Sequence, residues 1–336
     1  MIRDRRALDP DVQPDVVVHR DGELDAIARA IDPTVGRPRP VFLFGPSGAG
    51  KTTVAREALR RAEAELMDIS TAYVPCARKS RAAILRDLVG EVIGSHAVYP
   101  SKGSAELLAD LDGWNRDLLV VLDEIDQLAD LDILRDCYDL DGCRIIAIAN
   151  DEASLFASVD GREPLDSRLS VRETVRFLRY TDDELVSILE TRVTQAFGEV
   201  TWVRNATLEH AADLAAGDAR KAIALLQAGA RAVERGDAGR LTGDVIESQT
   251  DAAVETLTQS ALAKLNCHTT VVYEVLVDAE DGLRSGEIYD RYCGRVDNAV
   301  SRRTLGKYLA KLESYGLVAD NGEATTRRRY RPVEPL

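Results

Sequence analysis

Apolar residues in the first half of the chain fall into short runs separated by longer segments of helical period. The runs at 41–44, 72–75, 118–122, 144–149 and 173–177 are too short for ordinary helices. Gly, Pro, Asp or Asn bounds most of them, so they predict strands, the longest buried on both faces. Between them, residues 21–31, 52–66, 81–93, 104–111, 130–138 and 152–158 repeat apolar positions every three or four residues and predict helices. Strands alternating with helices predict an α/β fold: a parallel sheet with helices on both faces.

The texture changes at Thr181. From there the pattern is helical: 182–197, 205–216 and 219–235, with Thr181 or Asp182 capping the first and Asp218 the last. Residues 236–243 read as a hinge, and 242–265 as one further helix. The tail carries helical patterns at 268–278, 285–292 and 301–315, then extended runs at 317–319 and 325–331 around Asn321-Gly322, a strong hairpin signal. Three helices and a hairpin predict a winged helix, a variant of the helix-turn-helix. The expected organisation is a loose arm at 1–15, a nucleotide-binding domain at 16–178, an all-α lid at 179–240, a linker helix at 241–265 and a winged-helix domain at 266–336.

The candidate chemistry sits where strands end. Gly45-Pro46-Ser47-Gly48-Ala49-Gly50-Lys51-Thr52 matches the phosphate-loop pattern in full, between a predicted strand and a predicted helix. Glycines let backbone N–H groups turn toward a polyphosphate, Lys51 reaches β/γ oxygens, and Thr52 offers its hydroxyl to Mg²⁺. The nucleotide-binding set extends to Thr53. The run 118–122 ends in Asp123 and Glu124, placing one carboxylate for Mg²⁺ and one to polarise an attacking water. Asn150 closes the run 144–149, where an amide can orient that water; an Asn in an ordinary turn is the alternative. Arg168 precedes the fifth strand and is a candidate finger toward a neighbouring protomer's nucleotide, or a surface arginine paired with Asp166 or Glu163. Arg220, at the start of the last lid helix, has the fork geometry to read a γ-phosphate.

The net charge is −14, and only seven of the 43 basic residues are lysine. This acidic, lysine-poor balance suits a cytoplasm holding molar salt, which screens carboxylate repulsion; codon bias from a GC-rich genome is the other reading. The tail departs from it: residues 285–336 carry ten basic against seven acidic groups. In the third tail helix Arg302, Arg303 and Thr304 form the first turn, with Lys307 one turn on, the positions from which recognition helices reach base edges. Arg327, Arg328 and Arg329 in the hairpin are candidates for phosphate or minor-groove contact. A winged helix used for protein docking is the alternative. The five cysteines (Cys76, Cys137, Cys143, Cys267, Cys293) lack a C-x-x-C pair, which argues against a zinc site. With neither a signal-peptide core nor an apolar run of membrane length, the chain is expected to be cytoplasmic, with no membrane partner.

Together these motifs resemble the AAA+ ATPases, with Asn150 as sensor 1, Arg168 as arginine finger and Arg220 as sensor 2. Residues 18–24, the stretch 122–128, 164–169 and 217–222 are similar to those of archaeal replication initiators. That group is related to the eukaryotic origin-recognition subunit one and the cell-division-cycle-six loader. The resemblance implies ATP and ADP as ligands with Mg²⁺, His19 and Arg20 near the adenine, and binding to double-stranded origin DNA. It also implies recruitment of the MCM helicase, contact with other initiator protomers, and slow switch-type hydrolysis in a nucleoid-associated protein. The basic-serine run near Arg168 is shorter than the family's. An ATP-responsive transcription or plasmid-copy regulator is the alternative function; a clamp-loader-like ATPase is disfavoured by the winged helix.

Overall fold

The computed structural model describes residues 2–32, 34, 39–66, 68–128, 131–157, 172–198, 203–279, 281–321 and 328–333. The chain divides into two compact units, residues 13–179 and residues 1–12 with 180–336.

The first unit is built on five strands: β1 (Val41–Phe44), β2 (Ile69–Pro75), β3 (Asp117–Asp123), β4 (Cys143–Ala149) and β5 (Glu173–Arg176). They lie in the order β2-β3-β4-β1-β5, and every adjacent pair is parallel. The helices are α1 (Asp21–Ile31), α2 (Lys51–Glu65), α3 (Arg81–Val92), α4 (Ser104–Asp112), α5 (Asp132–Asp139) and α6 (Glu152–Ala157). Alternate strand residues serve opposite faces. Phe42, Phe44, Leu118, Val120 and Leu122 pack with α3, α4 and α5 residues such as Ile84, Leu107 and Leu134. Val41, Leu43, Leu119 and Val121 pack with Leu24 and Ile27 of α1 and Val54 and Ala58 of α2. Burial on both faces explains why these strands read as continuous apolar runs. The parallel pairing brings the carboxyl ends of β1, β3 and β4 together at one end of the sheet.

The second unit holds α7 (Asp182–Phe197), α8 (Asn205–Ala215) and α9 (Ala219–Arg235), packed through Leu185, Leu189, Leu208, Ala212, Leu225 and Leu226. Thr181 and Glu184 form a reciprocal capping box at α7. Asp218 caps α9 by accepting the N–H groups of Arg220 and Lys221. The single helix expected at 242–265 is instead two, α10 (Gly243–Ser248) and α11 (Thr250–Ala263), broken at Gln249. The cause is local: Ser248 and Thr250 hydroxyls donate back to the carbonyls of Val245 and Glu247, competing with the helical ladder. Residues 2–12 of the expected loose arm instead pack on this unit. Arg3 N–H donates to Ala196 O, Ala7 and Leu8 are buried, and Arg192 donates to the carbonyls of Ala7 and Val12.

The tail comprises α12 (Cys267–Val277), β6 (Leu283–Arg284), α13 (Ser285–Cys293), α14 (Arg302–Ser314), β7 (Val318–Asp320) and β8 (Arg329–Pro332). The strands form an antiparallel sheet in the order β6-β8-β7. Its core gathers Leu276, Ile288, Tyr292, Leu305, Leu309 and Tyr330. The residue pattern does not announce β6, because two residues are too few to carry a period. The second half of the expected turn, Gly322, lies outside the described residues. No helix of the described residues is long and apolar enough to cross a membrane.

Candidate nucleotide and nucleic-acid sites

The loop between β1 and α2 owes its glycines to two different demands. Gly45 has φ of 151°, and a Cβ there would run into the Phe177 carbonyl oxygen and stand 2.9 Å from the Phe177 Cβ, so the first glycine answers to the neighbouring strand. Gly48 and Gly50 have φ of 74° and 91°, left-handed conformations that glycine adopts without steric cost. Pro46, Ser47, Ala49 and Thr53 complete the turn and the first helical residues. Gly50 is the residue before α2, so Lys51 and Thr52 open the helix where N–H groups lack intrahelical partners.

Three strand ends converge on those two residues. Lys51 is buried, and its Nζ donates to Gly45 O at 2.6 Å, Pro46 O at 2.8 Å and Asn150 Oδ1 at 3.0 Å. Thr52 Oγ1 donates to Asp123 Oδ2 at 2.8 Å, and the Tyr73 hydroxyl donates to the same oxygen at 2.6 Å. Burial and the Asp123 charge push the Tyr73 phenol far above its usual range, which keeps it a donor. The same two causes push the Cys76 thiol up to about 12, which leaves it unreactive.

Glu124 adopts a left-handed conformation, φ 59° and ψ 42°, rare for a residue with a side chain and common at working sites. A short 3₁₀ turn at Ile125–Gln127 follows, and Gln127 Nε2 donates to Glu124 Oε2 at 3.1 Å. Asn150 N–H donates to Asp126 Oδ2 at 3.4 Å. Burial raises the Asp126 carboxyl, opposed by that N–H and by Lys51. Lys51, Thr52, Asp123 and Asn150 thus lie together at the sheet edge, Lys51 bonded to Asn150 and Thr52 to Asp123, with Glu124 next to Asp123 in the chain.

The remaining predicted residues are placed as follows. Arg20 is buried, donates to Glu23 and to Leu178 O, and lies over the Phe177 ring with 5.5 Å to the centroid. Its guanidinium therefore fastens α1 to the end of β5, while the adjacent His19 is exposed with φ of 59°. Arg220 belongs to the second unit, where Nη2 donates to Asp11 Oδ1 at 2.5 Å; Asp11 Oδ2 accepts from Ser260 at 2.9 Å. Arg168 lies outside the described residues, as does Arg327. The sequence alone assigns no role to Tyr73, Asp126, Gln127 or Asp11, although Asp126 and Gln127 fall in the 122–128 stretch. The Asp126-Gln127 pair follows the acidic motif directly and was legible; Tyr73 and Asp11 meet their partners only through the fold.

In the tail, Ser301 caps α14 by accepting Thr304 N–H. Arg302, Arg303 and Lys307 are exposed along the helix's first two turns. Arg302 lies over the Tyr289 ring, 5.0 Å from its centroid, near Asp290. The hairpin arginines differ from one another. Arg328 pairs with Asp320 at 2.6 Å, and Arg329 donates to Gly282 O at 2.9 Å, fastening β8 beside β6.

The chain is similar to known proteins. Residues 35–155 match the AAA domain family, and residues 186–250 match the Cdc6 AAA+ ATPase-type lid domain. ORC1-type DNA replication protein 9 of Halobacterium salinarum is 35% identical over 98% of this chain and 93% of its own length. ORC1-type DNA replication protein 1 of the same organism is 33% identical over 91% of this chain and 99% of its own. Among solved structures, the Aeropyrum pernix ORC1 protein in complex with DNA aligns with a TM-score of 0.72 at 26% identity, covering 98% of this chain and 93% of that one. The Pyrobaculum aerophilum Cdc6p structure aligns at 0.65 and 19% identity, covering 100% and 95%, a likeness of fold.

Proposed function

The chain belongs to the ORC1-type DNA replication proteins, and from that premise we propose that it is an ATP-switched initiator. It grips double-stranded origin DNA, helps bring the MCM helicase to it, and resets by slow hydrolysis of ATP. The observation that carries this reading is the cluster at the sheet edge, where Lys51 meets Asn150 and Thr52 meets Asp123.

Each group has a task in that reading. Lys51 exchanges its carbonyl partners for β/γ-phosphate oxygens, while the N–H groups from Gly48 to Thr53 cradle the polyphosphate. The Thr52 hydroxyl and Asp123 carboxylate are hard oxygen donors 2.8 Å apart, a set that fits Mg²⁺. When bound, that ion neutralises charge on the phosphate oxygens. Glu124 takes the proton of the attacking water, and Asn150 orients that water. Arg220 reads the γ-phosphate and so distinguishes ATP from ADP; Arg168 serves a neighbouring protomer's nucleotide. His19 borders the adenine. In the winged-helix tail, Arg302, Arg303, Thr304 and Lys307 meet bases and backbone, with Arg327 and Arg328 on phosphates. The Aeropyrum pernix relative solved with DNA supports this duplex role. The protein acts in the cytoplasm, on the nucleoid.

The test compares Lys51→Ala and Glu124→Gln in molar salt. Lys51→Ala is expected to abolish ATP affinity and weaken duplex binding. Glu124→Gln is expected to bind ATP normally and lose hydrolysis by about 10²-fold or more. No affinity of the native protein for adenine nucleotides, or an unchanged duplex affinity in Lys51→Ala, overturns the reading. Full replication activity in Glu124→Gln would instead favour a regulator that needs binding alone.

A further inference from the structure

We propose that Tyr73 is a positioning residue for the nucleotide-bound cation, acting through the Asp123 carboxylate; this rests on the ATP reading above. The register of the sheet makes the contact possible. β2 and β3 are parallel, with Tyr73 opposite Val121 and Pro75 opposite Asp123. Cys76 N–H donates to Asp123 O at 2.8 Å and carries the ladder one residue beyond the paired strands. Asp123 therefore has a fixed backbone, and a phenol long enough to reach its carboxylate starts two residues back on the neighbouring strand. The Tyr73 hydroxyl closes that distance at 2.6 Å.

The carboxylate is held on one side. Its Oδ2 takes both hydroxyl protons, from Thr52 at 2.8 Å and from Tyr73 at 2.6 Å. A carboxylate oxygen has room for two such donors, so Oδ2 is filled and Oδ1 is left for the hydration shell of a cation. The Thr52 proton directed at Oδ2 leaves a lone pair of that hydroxyl for the ion. Tyr73 is itself held from the same helix: Arg56, one turn beyond Thr52 on α2, lies over its ring with 4.0 Å to the centroid. One clamp thus links α2, β2 and β3 around the two oxygen donors. Outer-shell partners of this kind orient the groups that bind a metal and alter its affinity by about 10–100-fold.

Tyr73→Phe removes the hydroxyl and keeps the ring under Arg56. The experiment titrates Mg²⁺ against fluorescent-ATP binding by the full chain, with a parallel series in EDTA, and follows Mn²⁺ by electron paramagnetic resonance in the presence of ADP. The expected result is an Mg²⁺ midpoint raised about tenfold and weaker Mn²⁺ immobilisation, with nucleotide affinity in EDTA unchanged. A midpoint equal to the native one overturns the proposal. So does an equal loss of affinity with and without metal, which would mark Tyr73 as packing alone. A native protein that binds no ATP defeats the underlying reading as well, and is thereby distinguished from a failure confined to Tyr73. If Tyr73→Phe is unstable, Arg56→Met, which loosens the ring from the other side, must raise the midpoint in the same direction; an unchanged midpoint there also overturns the proposal.

Discussion

If Arg220 reads the γ-phosphate, it must first leave Asp11, and the cost of leaving is set by the structure. The pair meets at 2.5 Å, with the arginine side chain 26% and the aspartate 47% exposed. In water, two unit charges about 4 Å apart attract by about 1 kcal/mol, and by about 4 at the effective dielectric of a protein surface. An aspartate nearly half in solvent belongs near the lower figure, consistent with exposed pairs worth about 0–1 kcal/mol. Removing the competing carboxylate should then tighten ATP by up to about fivefold, since about 1.4 kcal/mol is a factor of ten. ADP, which offers Arg220 no γ-phosphate, should gain nothing. The assay is the ATP/ADP affinity ratio in the native chain, Asp11→Ala, Arg220→Ala and the double variant. The ratio should rise in Asp11→Ala, fall in Arg220→Ala, and show no response to Asp11→Ala once Arg220 is gone. The gain should shrink as salt rises, because the Debye length falls to about 3 Å at 1 M. An equal change for both nucleotides, or a gain that survives without Arg220, would refute the competition. Ser260→Ala, which removes a donor from Asp11 but leaves its charge, should reproduce little of the effect.

Three further outcomes concern backbone packing, a titrating carboxyl and the duplex surface. Gly45→Ala places a Cβ 2.9 Å from the Phe177 Cβ and closer still to the Phe177 carbonyl oxygen; backbone cannot yield as a flexible side chain does, so denaturant unfolding should show a loss of about 2–4 kcal/mol, and a shift below about 0.5 would contradict the clash. Burial opposes ionisation of the Asp11 carboxyl, yet the Arg220 charge, the Ser260 hydrogen bond and Lys264 together hold it below the ordinary aspartate value. A depressed carboxylate contributes stability that is fully present above the unfolded value and lost as pH falls through the folded one. The native-minus-Asp11→Asn difference should therefore be flat from about pH 5 to 8 and decline as pH falls below the ordinary aspartate value, as calorimetry across pH would show. Replacing Arg302 and Arg303 by Ala should weaken duplex binding and lower the salt slope by about one for each phosphate no longer neutralised; an unchanged slope would remove α14 from the backbone interface.

The elements most legible in the sequence are those whose signal is local and repeated. β1, β3 and β4 announce themselves because burial on both faces confines polar residues to the ends of the run. α1, α7 and α9 are bounded to the residue, because Thr181 and Asp218 cap the last two and Ile31 ends the apolar period of the first. The break at Gln249 is not visible in this way. Thr242 to Leu265 carries a workable helical pattern, and what interrupts it is a pair of hydroxyls turned back on carbonyls, a choice neutral in periodicity. The N-terminal residues mislead for a related reason. Ala7 and Leu8 are two apolar residues in a polar stretch, too few to define a face, and they are buried only because the lid offers a surface.

The same division runs through the site and explains why motif reading stops where it does. Lys51, Thr52, Asp123, Glu124 and Asn150 are legible because each ends a strand or opens a helix in a contiguous pattern, and the parallel sheet brings such ends together. Their supporting groups obey no such pattern. Tyr73 stands two residues short of its strand's end, inside a run that reads as core, and reaches Asp123 only because β2 and β3 are adjacent and in that register. Asp11 reaches Arg220 across 209 positions of sequence. Arg20 and Arg329 show the converse: basic residues singled out for ligands spend donors on Leu178 O and Gly282 O. A guanidinium has five donors and satisfies buried carbonyls as readily as phosphates. Residue type and spacing therefore nominate candidate ligand groups, whereas register and tertiary packing determine which of them are held in place and which are already engaged.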